Sequence, residues 1–317
     1  MPNPINELTD TRTLGATGLS TSPITLGTSF LGAGTRPGDA GEAAAVELAK
    51  VMLHGPYALI DTSNNYAKGR SEAVLGLALA DGGVGAGRTV VTKVDEDPNT
   101  HAFDRDRVRR SFEESCARLG VDRLELLHLH DPYSVTFEEA AAQGGAIEGM
   151  LQLKDEGLVG SIGIAAGTVS LMRKYVATGA FDVLLTHNRF TLVDRSAVPL
   201  IEDAVDRGMG VFNAAPFGGG LLSRGSASGA TYAYTDASPE LLAWVARVEK
   251  LCAQHGIDLP TAALHFSLRS PMIDSTIVGI SSTKRIAQLE CMRATEVPSS
   301  FWDELENLGT PPSTITD

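Results

Sequence analysis

The sequence has few of the features that mark disulfide-rich, nucleic-acid-binding or membrane proteins. Its 317 residues include only three cysteines, Cys116, Cys252 and Cys291, whose wide spacing favours neither a disulfide framework nor a zinc site. Lys and Arg number 26 against 39 Asp and Glu, a net charge of −13, which argues against nucleic acid and anionic membranes as partners. No apolar run approaches the ~18 residues of a membrane helix, and the polar start Met1–Arg12 is unlike a signal peptide. We therefore expect a reduced, soluble, cytoplasmic protein.

What the sequence does contain is a short apolar run followed by a helical stretch, repeated eight times. We predict strands at Ile24–Gly27, Ala58–Asp61, Thr89–Lys93, Leu124–His130, Ser161–Ile164, Val183–Thr186, Gly210–Asn213 and Ser275–Gly279. Apolar strands that alternate with helices are typical of a parallel sheet covered on both faces. Eight such units favour an α/β protein with a single (β/α)8 TIM barrel, which we expect to be one domain over residues 1–317. Two short strands within Arg12–Pro23 predict an N-terminal β-hairpin that closes the bottom of the barrel.

Four ionisable residues lie at or just after the ends of three successive predicted strands. Asp61 ends the second strand and Tyr66 follows it, Lys93 ends the third, and His130 ends the fourth. In a barrel of this kind the catalytic groups lie at the carboxyl ends of the strands. Alternation directs Lys93 into the barrel interior, where an ammonium group needs a carboxylate partner, and Asp61 on the neighbouring strand is placed to be that partner.

These residue types predict a site that transfers protons. Tyrosine has an ordinary pKa of ~10, so it is a poor acid or base at neutral pH. We expect the Lys93 cation to lower the pKa of Tyr66 toward the working range, with Asp61 holding Lys93 in place. His130 is positioned to bind a substrate oxygen. A tyrosine that protonates a carbonyl oxygen while hydride reaches the carbon is the centre of a reductase.

The segments DTSNNYAKGRSE, VVTKV and LLHLHDP, in this order, resemble the signatures of the aldo-keto reductase superfamily. The resemblance extends from RTLGATGLSTSPITLGT to VGISS. It implies the (β/α)8 fold, a nicotinamide cofactor and a catalytic set of Tyr66, Asp61, Lys93 and His130. FNAAPFGGGLL and HNRFTLVDRSA are most similar to the aldose 1-dehydrogenase branch, which includes L-fucose, L-galactose and pyridoxal dehydrogenases. The implied activity is NAD(P)-dependent hydride transfer at a carbonyl or lactol carbon, in an aldose or an aromatic aldehyde.

The resemblance also implies a cofactor site spread over the barrel mouth. Its predicted residues are Gly27, Thr28, Asp61, His187, Asn188, Pro216, Phe217, Gly218, Gly219, Leu221, Gly279, Ile280, Ser281, Ser282 and Arg285. Members that prefer NADP often carry a basic residue where this chain has Ser282, so the expected cofactor is NAD(P) with a preference for NAD. Lys284 and Arg285 are nevertheless near enough in sequence to reach a 2′-phosphate.

Several positions depart from the common pattern of the superfamily. Ala165 and Ala166 replace a Ser-Asn pair, His187 replaces a glutamine, Ala214 replaces an aromatic residue that stacks on nicotinamide, and Leu289 replaces an asparagine on the adenine side. The departures concern the cofactor contacts and leave the four chemical residues intact.

The substrate pocket and two other functions stay open at this point. Aromatic and aliphatic side chains near strand ends or in the C-terminal region suggest a pocket of Phe30, Leu31, Tyr133, Phe217 and Trp302. The segment Leu221–Pro239 has no regular pattern and is expected to be a substrate loop. One alternative is a metal-dependent barrel hydrolase that uses the HxH pair His128 and His130, although we expect no metal and place His128 in a hydrogen-bonded core. The other is a nicotinamide-binding regulatory barrel without catalysis.

Overall fold

Eight parallel strands form a closed barrel in the computed structural model, which describes residue 8, residues 10–227, residues 229–312 and residue 315. In chain order, the strands of the described residues, inside and outside the barrel, are β1 (Arg12–Thr13), β2 (Ser20–Thr21), β3 (Ile24–Gly27), β4 (Leu59–Asp61), β5 (Thr89–Val94), β6 (Leu124–His130), β7 (Val159–Ala166), β8 (Val183–His187), β9 (Gly210–Ala214), β10 (Thr231–Tyr232), β11 (Thr235–Asp236) and β12 (Ser275–Gly279). Strands β3 to β9 follow one another around the barrel, and β12 closes it by pairing with β9 and β3. The predicted TIM barrel is confirmed. The single domain over residues 1–317 stays a prediction, since its two ends, with most of Met1–Arg12, lie outside the described residues.

Helices connect the barrel strands and cover the outside of the barrel. They are α1 (Ala40–Leu53), α2 (Arg70–Gly82), α3 (Arg105–Leu119), α4 (Phe137–Ala141), α5 (Ala146–Asp155), α6 (Val169–Ala177), α7 (Val198–Asp206), α8 (Leu221–Arg224), α9 (Pro239–Gln254), α10 (Leu259–Leu268), α11 (Thr283–Ala294) and α12 (Ser299–Asn307). Helix α3 shows why such segments fold locally: the Asp104 carboxylate caps a first-turn amide, and Gly120 ends the helix at φ 72°. Within the described part of the chain, none of the helices is both long and apolar enough to cross a membrane.

The barrel interior is filled by side chains and is closed at its amino end. Val91, Leu126, Leu185 and Phe212 pack together inside the strands, and Leu14 joins them from the segment between β1 and β2. The backbone of Gly15 in this segment approaches Gly210 so closely that a Cβ at residue 15 would lie 2.2 Å from the Gly210 nitrogen. The β1–β2 hairpin therefore seals the bottom of the barrel, as predicted, and leaves the carboxyl ends of the strands open.

The observed strands differ from the predicted ones mainly at their ends. The largest difference is β7, which begins at Val159 and runs to Ala166, two residues beyond the prediction on each side. Gly160 lies within this strand. A Cβ at residue 160 would lie 2.8 Å from the carbonyl oxygen of Glu125 on β6, so glycine is needed there for the close approach of two strands.

The segment Leu221–Pro239 is more ordered than its sequence suggests. It contains the short helix α8 and the two-stranded ribbon of β10 and β11. The buried side chain of Tyr232 ties this ribbon to the barrel, because its hydroxyl donates to the carbonyl oxygen of Asn188 at 2.7 Å and lies 2.8 Å from Thr191 Oγ1. The expectation of a segment without regular structure is wrong because hydrogen bonds to the barrel stabilise the ribbon.

Candidate active site

A buried ion pair lies at the carboxyl ends of β4 and β5. These strands are neighbours in the barrel, and this brings Asp61 and Lys93 together. The Nζ atom of Lys93 lies 2.7 and 2.8 Å from the two carboxylate oxygens of Asp61 and donates to the Thr62 carbonyl oxygen at 2.7 Å. It also donates to the Tyr66 hydroxyl at 3.1 Å. One ammonium group therefore connects a buried carboxylate to a phenol.

Tyr66 is held in place by the loop that follows β4. It begins a short 3-10 turn in which Ala67 and Lys68 have positive φ values of 51° and 57°. The loop is fixed by the Asn64 side chain, which donates to the Ser111 carbonyl oxygen at 3.0 Å. Such anchoring keeps the phenol positioned before any substrate arrives.

Burial dominates the acidity of this cluster. It raises the pKa of Tyr66 to about 12, although the Lys93 cation acts in the opposite direction. The expected lowering of the Tyr66 pKa is therefore wrong, because the sequence does not reveal how far burial disfavours a phenolate. Burial also lowers the pKa of Lys93, but Asp61 and Tyr66 more than reverse this, so its pKa is raised and the amine stays protonated. Tyr66 therefore holds its proton at neutral pH.

His130 ends β6 beside Tyr66, and a carboxylate lies behind it. The two rings are T-shaped with centroids 5.7 Å apart. The Nδ1 atom of His130 lies 2.7 Å from Asp95 Oδ1 and 3.1 Å from Ser63 Oγ. Sequence analysis missed Asp95, although its position two residues after Lys93, just beyond a strand end, was a signal for it.

A second carboxylate that sequence analysis missed lies on the cleft side of His130. Asp131 directly follows β6 with a φ of 42°, which is unusual for a residue other than glycine. Its two oxygens lie 3.6 Å from His130 Nε2 and 3.6 Å from His187 Nε2. Asp131 thus places negative charge between two imidazoles at the mouth of the barrel.

These groups line a cleft of about 670 Å³ at the carboxyl end of the barrel. The four predicted chemical residues all face it. Of the predicted cofactor residues, those that line it are Gly27, Thr28, Asp61, His187, Phe217, Gly219, Gly279, Ile280, Ser281 and Arg285. Asn188, Pro216, Gly218, Leu221 and Ser282 adjoin this set in sequence but are not among the lining residues. Tyr234 lines the cleft as well and was not predicted.

Only part of the predicted substrate pocket faces the cleft. Phe30 and Phe217 line it, whereas three other side chains do not. Leu31 is buried in the core between barrel and helices. The Tyr133 hydroxyl accepts a hydrogen bond from the Gly167 amide, and the Arg269 guanidinium stacks on Trp302, 4.5 Å from the ring centroid. Proximity to a strand end does not tell in which direction a side chain points.

Polar groups in the cleft and directly beside it fit a nicotinamide dinucleotide. Ser282 caps α11 without a side-chain hydrogen bond to the helix, so its hydroxyl is available to a phosphate at the amino end of this helix. Arg285 adds a cation at the same end of the cleft. Beside His187, the side-chain Oδ1 of Asn188 is buried and has no hydrogen-bond partner among the described residues, as an acceptor for a carboxamide would be.

His187 occupies the space beside the end of β7. A Cβ at Gly167 would lie 2.8 Å from the His187 ring. His187 Nδ1 lies 3.1 Å from Asn188 Nδ2. Glycine at residue 167 therefore leaves room for the imidazole.

His128 lies deeper in the barrel and does not act together with His130. Its ring packs edge-on against Phe212, and both ring nitrogens lack a hydrogen-bond partner among the described residues. The expectation of a hydrogen-bonded core histidine is therefore half right, since the residue is buried but unpaired. Burial lowers the pKa of His128 well below its ordinary value and keeps the ring neutral. The part of the chain that the structure describes shows no group of three or more His, Cys, Asp or Glu side chains arranged to hold a metal.

Known proteins resemble this chain over most of its length. Residues 23–309 match the Aldo/keto reductase family. A D-threo-aldose 1-dehydrogenase from Pseudomonas sp is 30% identical over 205 residues, 64% of this chain and 62% of that protein. A pyridoxal 4-dehydrogenase from Microbacterium luteolum is 27% identical over 94% of this chain and 97% of that protein. The holo form of the aldo-keto reductase AKR11C1 from Bacillus halodurans has the same fold, with a TM-score of 0.74 at 22% identity over 94% of this chain and 96% of that one.

Proposed function

This chain belongs to the aldo/keto reductase family, and we propose that Tyr66 is the general acid and base of its hydride-transfer reaction. The chain is an NAD(P)-dependent oxidoreductase. The observation that carries the proposal is the contact of Lys93 Nζ with both the Asp61 carboxylate and the Tyr66 hydroxyl inside the cleft. The Lys93 ammonium group lowers the cost of forming the Tyr66 phenolate, which burial otherwise disfavours.

In the direction of reduction, the Tyr66 hydroxyl donates its proton to the carbonyl oxygen of the substrate. Lys93 stabilises the phenolate that this leaves, and Asp61 keeps the ammonium group charged and oriented. A nicotinamide cofactor, when bound, would supply the hydride for reduction and would accept it in oxidation. In the reverse direction the proton of the substrate hydroxyl returns to Tyr66. Positioned proton transfer of this kind contributes about 10²–10⁴-fold to an enzymatic rate.

The cofactor would lie along the cleft with its two ends held differently. Asn188 and His187 are the residues for the carboxamide of the nicotinamide, and Gly27 and Thr28 let the barrel backbone approach the dinucleotide. Ser281, Ser282 and the first turn of α11 would hold the phosphate groups. We propose a preference for NAD because Ser282 carries no charge for a 2′-phosphate, with Arg285 as the residue that allows NADP.

We propose a cyclic aldose as the substrate, oxidised at its anomeric carbon, and an aromatic aldehyde as the second choice. Support for the sugar comes from the aldose dehydrogenase among the relatives and from the Asp131 carboxylate, which is an acceptor for hydroxyl groups. Support for the aldehyde comes from the exposed rings of Phe30 and Tyr234 at the cleft and from the pyridoxal dehydrogenase relative. We place the protein in the cytoplasm because its three cysteines are free thiols.

A screen of aldoses and aromatic aldehydes with NAD and NADP, in both directions, tests this proposal. We expect oxidation of at least one aldose, with a lower KM for NAD than for NADP. Binding of either cofactor without turnover of any carbonyl or lactol would identify a regulatory barrel and contradict the proposal.

A further inference from the structure

Asp95 is a buried acid in the site that the proposed chemistry leaves without a role. It directly follows β5, and only 7% of its surface is exposed. The backbone around it is fixed, because its amide donates to Ser111 Oγ at 3.1 Å and its carbonyl oxygen accepts from Arg107 Nε at 2.9 Å. A carboxylate held this firmly has one orientation.

The two oxygens of the Asp95 carboxylate have different partners. Oδ2 accepts hydrogen bonds from the Ser63 hydroxyl and from the Asn65 amide, the latter at 2.9 Å. Oδ1 lies 2.7 Å from Nδ1 of His130. Since an ionised carboxylate only accepts hydrogen bonds, the proton of this contact belongs to Nδ1.

The position of this proton determines what the other ring nitrogen offers to the cleft. A neutral imidazole that carries its proton on Nδ1 has a lone pair on Nε2, and Nε2 donates only when the ring is a cation. A cationic ring donates to a carbonyl oxygen, and it also stabilises a phenolate on Tyr66, whose ring centroid is 5.7 Å away.

We propose that Asp95 is a positioning residue for the hydride-transfer reaction, which fixes the proton of His130 on Nδ1 and stabilises the imidazolium that donates from Nε2 to the substrate oxygen. This inference rests on the proposed function of the site. It adds a fifth member, from the end of β5, to the set of Asp61, Tyr66, Lys93 and His130.

The charges around His130 act in both directions. Asp95 and Asp131 are the carboxylates in contact with the ring, and the buried Asp61 carboxylate on β4 interacts with it through its charge. Lys93 on β5 disfavours protonation of the ring, and His128 would do so too if it were charged. Burial lowers the pKa of His130, but Asp95 and then Asp131 more than offset it, so the pKa is raised above its ordinary value. The cation is therefore favoured below this pKa and is lost as the pH rises through it.

The substitution Asp95→Asn should change the position of the proton on His130, which a merely structural role of Asp95 would not do. The Asn65 amide requires an acceptor, so the side-chain oxygen of asparagine is expected to turn toward it and the amide group toward His130 Nδ1. Nδ1 then becomes the acceptor, and the proton of the neutral ring moves to Nε2. A carboxylate-to-amide change behind a catalytic histidine has this consequence in serine proteases.

Nitrogen-15 NMR of the imidazoles tests the inference in the free enzyme. The His130 signals are assigned by their loss in His130→Gln. The matched control is Glu96→Gln, which removes one charge from the next residue, whose carboxylate pairs with His101 instead. We expect the wild type and the control to show neutral His130 with its proton on Nδ1. For Asp95→Asn we expect the proton on Nε2 and a pKa at least about one pH unit lower.

The pH profile of carbonyl reduction provides the second readout. We expect kcat/KM of the wild type and of Glu96→Gln to fall as pH rises through the His130 pKa. For Asp95→Asn we expect kcat/KM to be about 10²-fold lower than that of the wild type at pH 6, and to show no decrease as the pH rises. If Asp95→Asn does not fold, the wild-type spectrum and the Asp95→Glu variant decide instead.

The inference is overturned if neutral His130 of the wild type carries its proton on Nε2, or if Asp95→Asn leaves the tautomer and the His130 pKa unchanged. If Asp95→Glu is the only variant that folds, the inference is overturned when neutral His130 in that variant carries its proton on Nε2 and shows the unshifted pKa of a histidine without a carboxylate partner. The NMR experiment needs no turnover. A wild type that binds NAD(P) but turns over no substrate would therefore refute the proposed function, while the tautomer still decides the role of Asp95.

Discussion

Replacing Lys93 with methionine removes one half of a buried ion pair and leaves Asp61 without its cation. Lys93 is 1% exposed and Asp61 3%, so water does not replace the lost partner. Removing one member of a buried pair costs about 3–5 kcal/mol. The alternative for Asp61 is to take up a proton, and at pH 7 this costs about 4 kcal/mol for a group with an ordinary pKa near 3.9. The two values agree, and we expect Lys93→Met to lose about 4 kcal/mol of unfolding free energy at pH 7.

The pH dependence of this loss identifies its cause. Burial raises the pKa of Asp61 even with Lys93 beside it, and loss of this cation raises the pKa further. The folded variant therefore binds a proton more tightly than the unfolded state does. The unfolding free energy that Lys93→Met loses relative to the wild type is therefore regained as the pH falls, and the loss grows as the pH rises. At pH 5 the cost of protonating Asp61 is only about 1.5 kcal/mol.

Urea unfolding of three variants between pH 5 and pH 8 measures this effect. The matched control is Lys154→Met, since the pair of Lys154 with Asp182 is about one-third exposed and should be worth at most about 1 kcal/mol. The double variant Asp61→Asn with Lys93→Met should lose the pH dependence. The account of the buried pair is refuted if Lys93→Met costs no more than Lys154→Met, or if the double variant stays as pH-dependent as Lys93→Met.

Three further predictions concern the rate of oxidation, the loop after β9 and the cofactor. Because burial raises the pKa of Tyr66 to about 12, the rate of substrate oxidation should still rise above about pH 9, and a plateau in stopped-flow rates below that pH would contradict this. A Cβ at Gly218 would lie 2.2 Å from the Tyr232 ring, whereas at Gly219, with a similarly positive φ, the nearest atom is 3.5 Å away. Gly218→Ala should therefore cost about 1–3 kcal/mol more than Gly219→Ala in urea unfolding, and equal costs would show that the contact is unimportant. Arg285→Gln should raise the KM for NADP about tenfold more than the KM for NAD. Lys284→Gln is the control, because Lys284 is not among the residues that line the cleft, and an equal change for both cofactors in Arg285→Gln would argue against a phosphate contact.

The barrel and the placement of the four chemical residues at its mouth were predictable from sequence because both follow from periodic patterns. Apolar strands that alternate with helices define the barrel, and its geometry places strand-end residues such as Lys93 and His130 at one mouth. Asp95 and Asp131 obey the same rule one residue beyond their strands. Asp95 follows Lys93 and Asp131 follows His130, and the lysine and the histidine drew attention away from the two carboxylates.

Other properties depend on three-dimensional packing and could not be predicted. The pKa of Tyr66 is set by burial, and the sequence shows only the nearby cation that acts against it. Leu31 and Trp302 follow plausible positions in the chain, but their side chains turn into the core and toward Arg269. The ribbon at Tyr232 is stabilised by hydrogen bonds to residues more than 40 positions away, which no local pattern reveals.

The central claim, that Tyr66 is the proton donor and acceptor for hydride transfer, is tested most directly by Tyr66→Phe. The matched control is Tyr175→Phe, a buried tyrosine outside the cleft whose hydroxyl has no hydrogen-bond partner among the described residues. Cofactor binding is followed by fluorescence and turnover by absorbance of the reduced nicotinamide. We predict that Tyr66→Phe binds NAD(P) as the wild type does and loses at least about 10³-fold in kcat, while Tyr175→Phe keeps both. Turnover by Tyr66→Phe within tenfold of the wild type would contradict the claim.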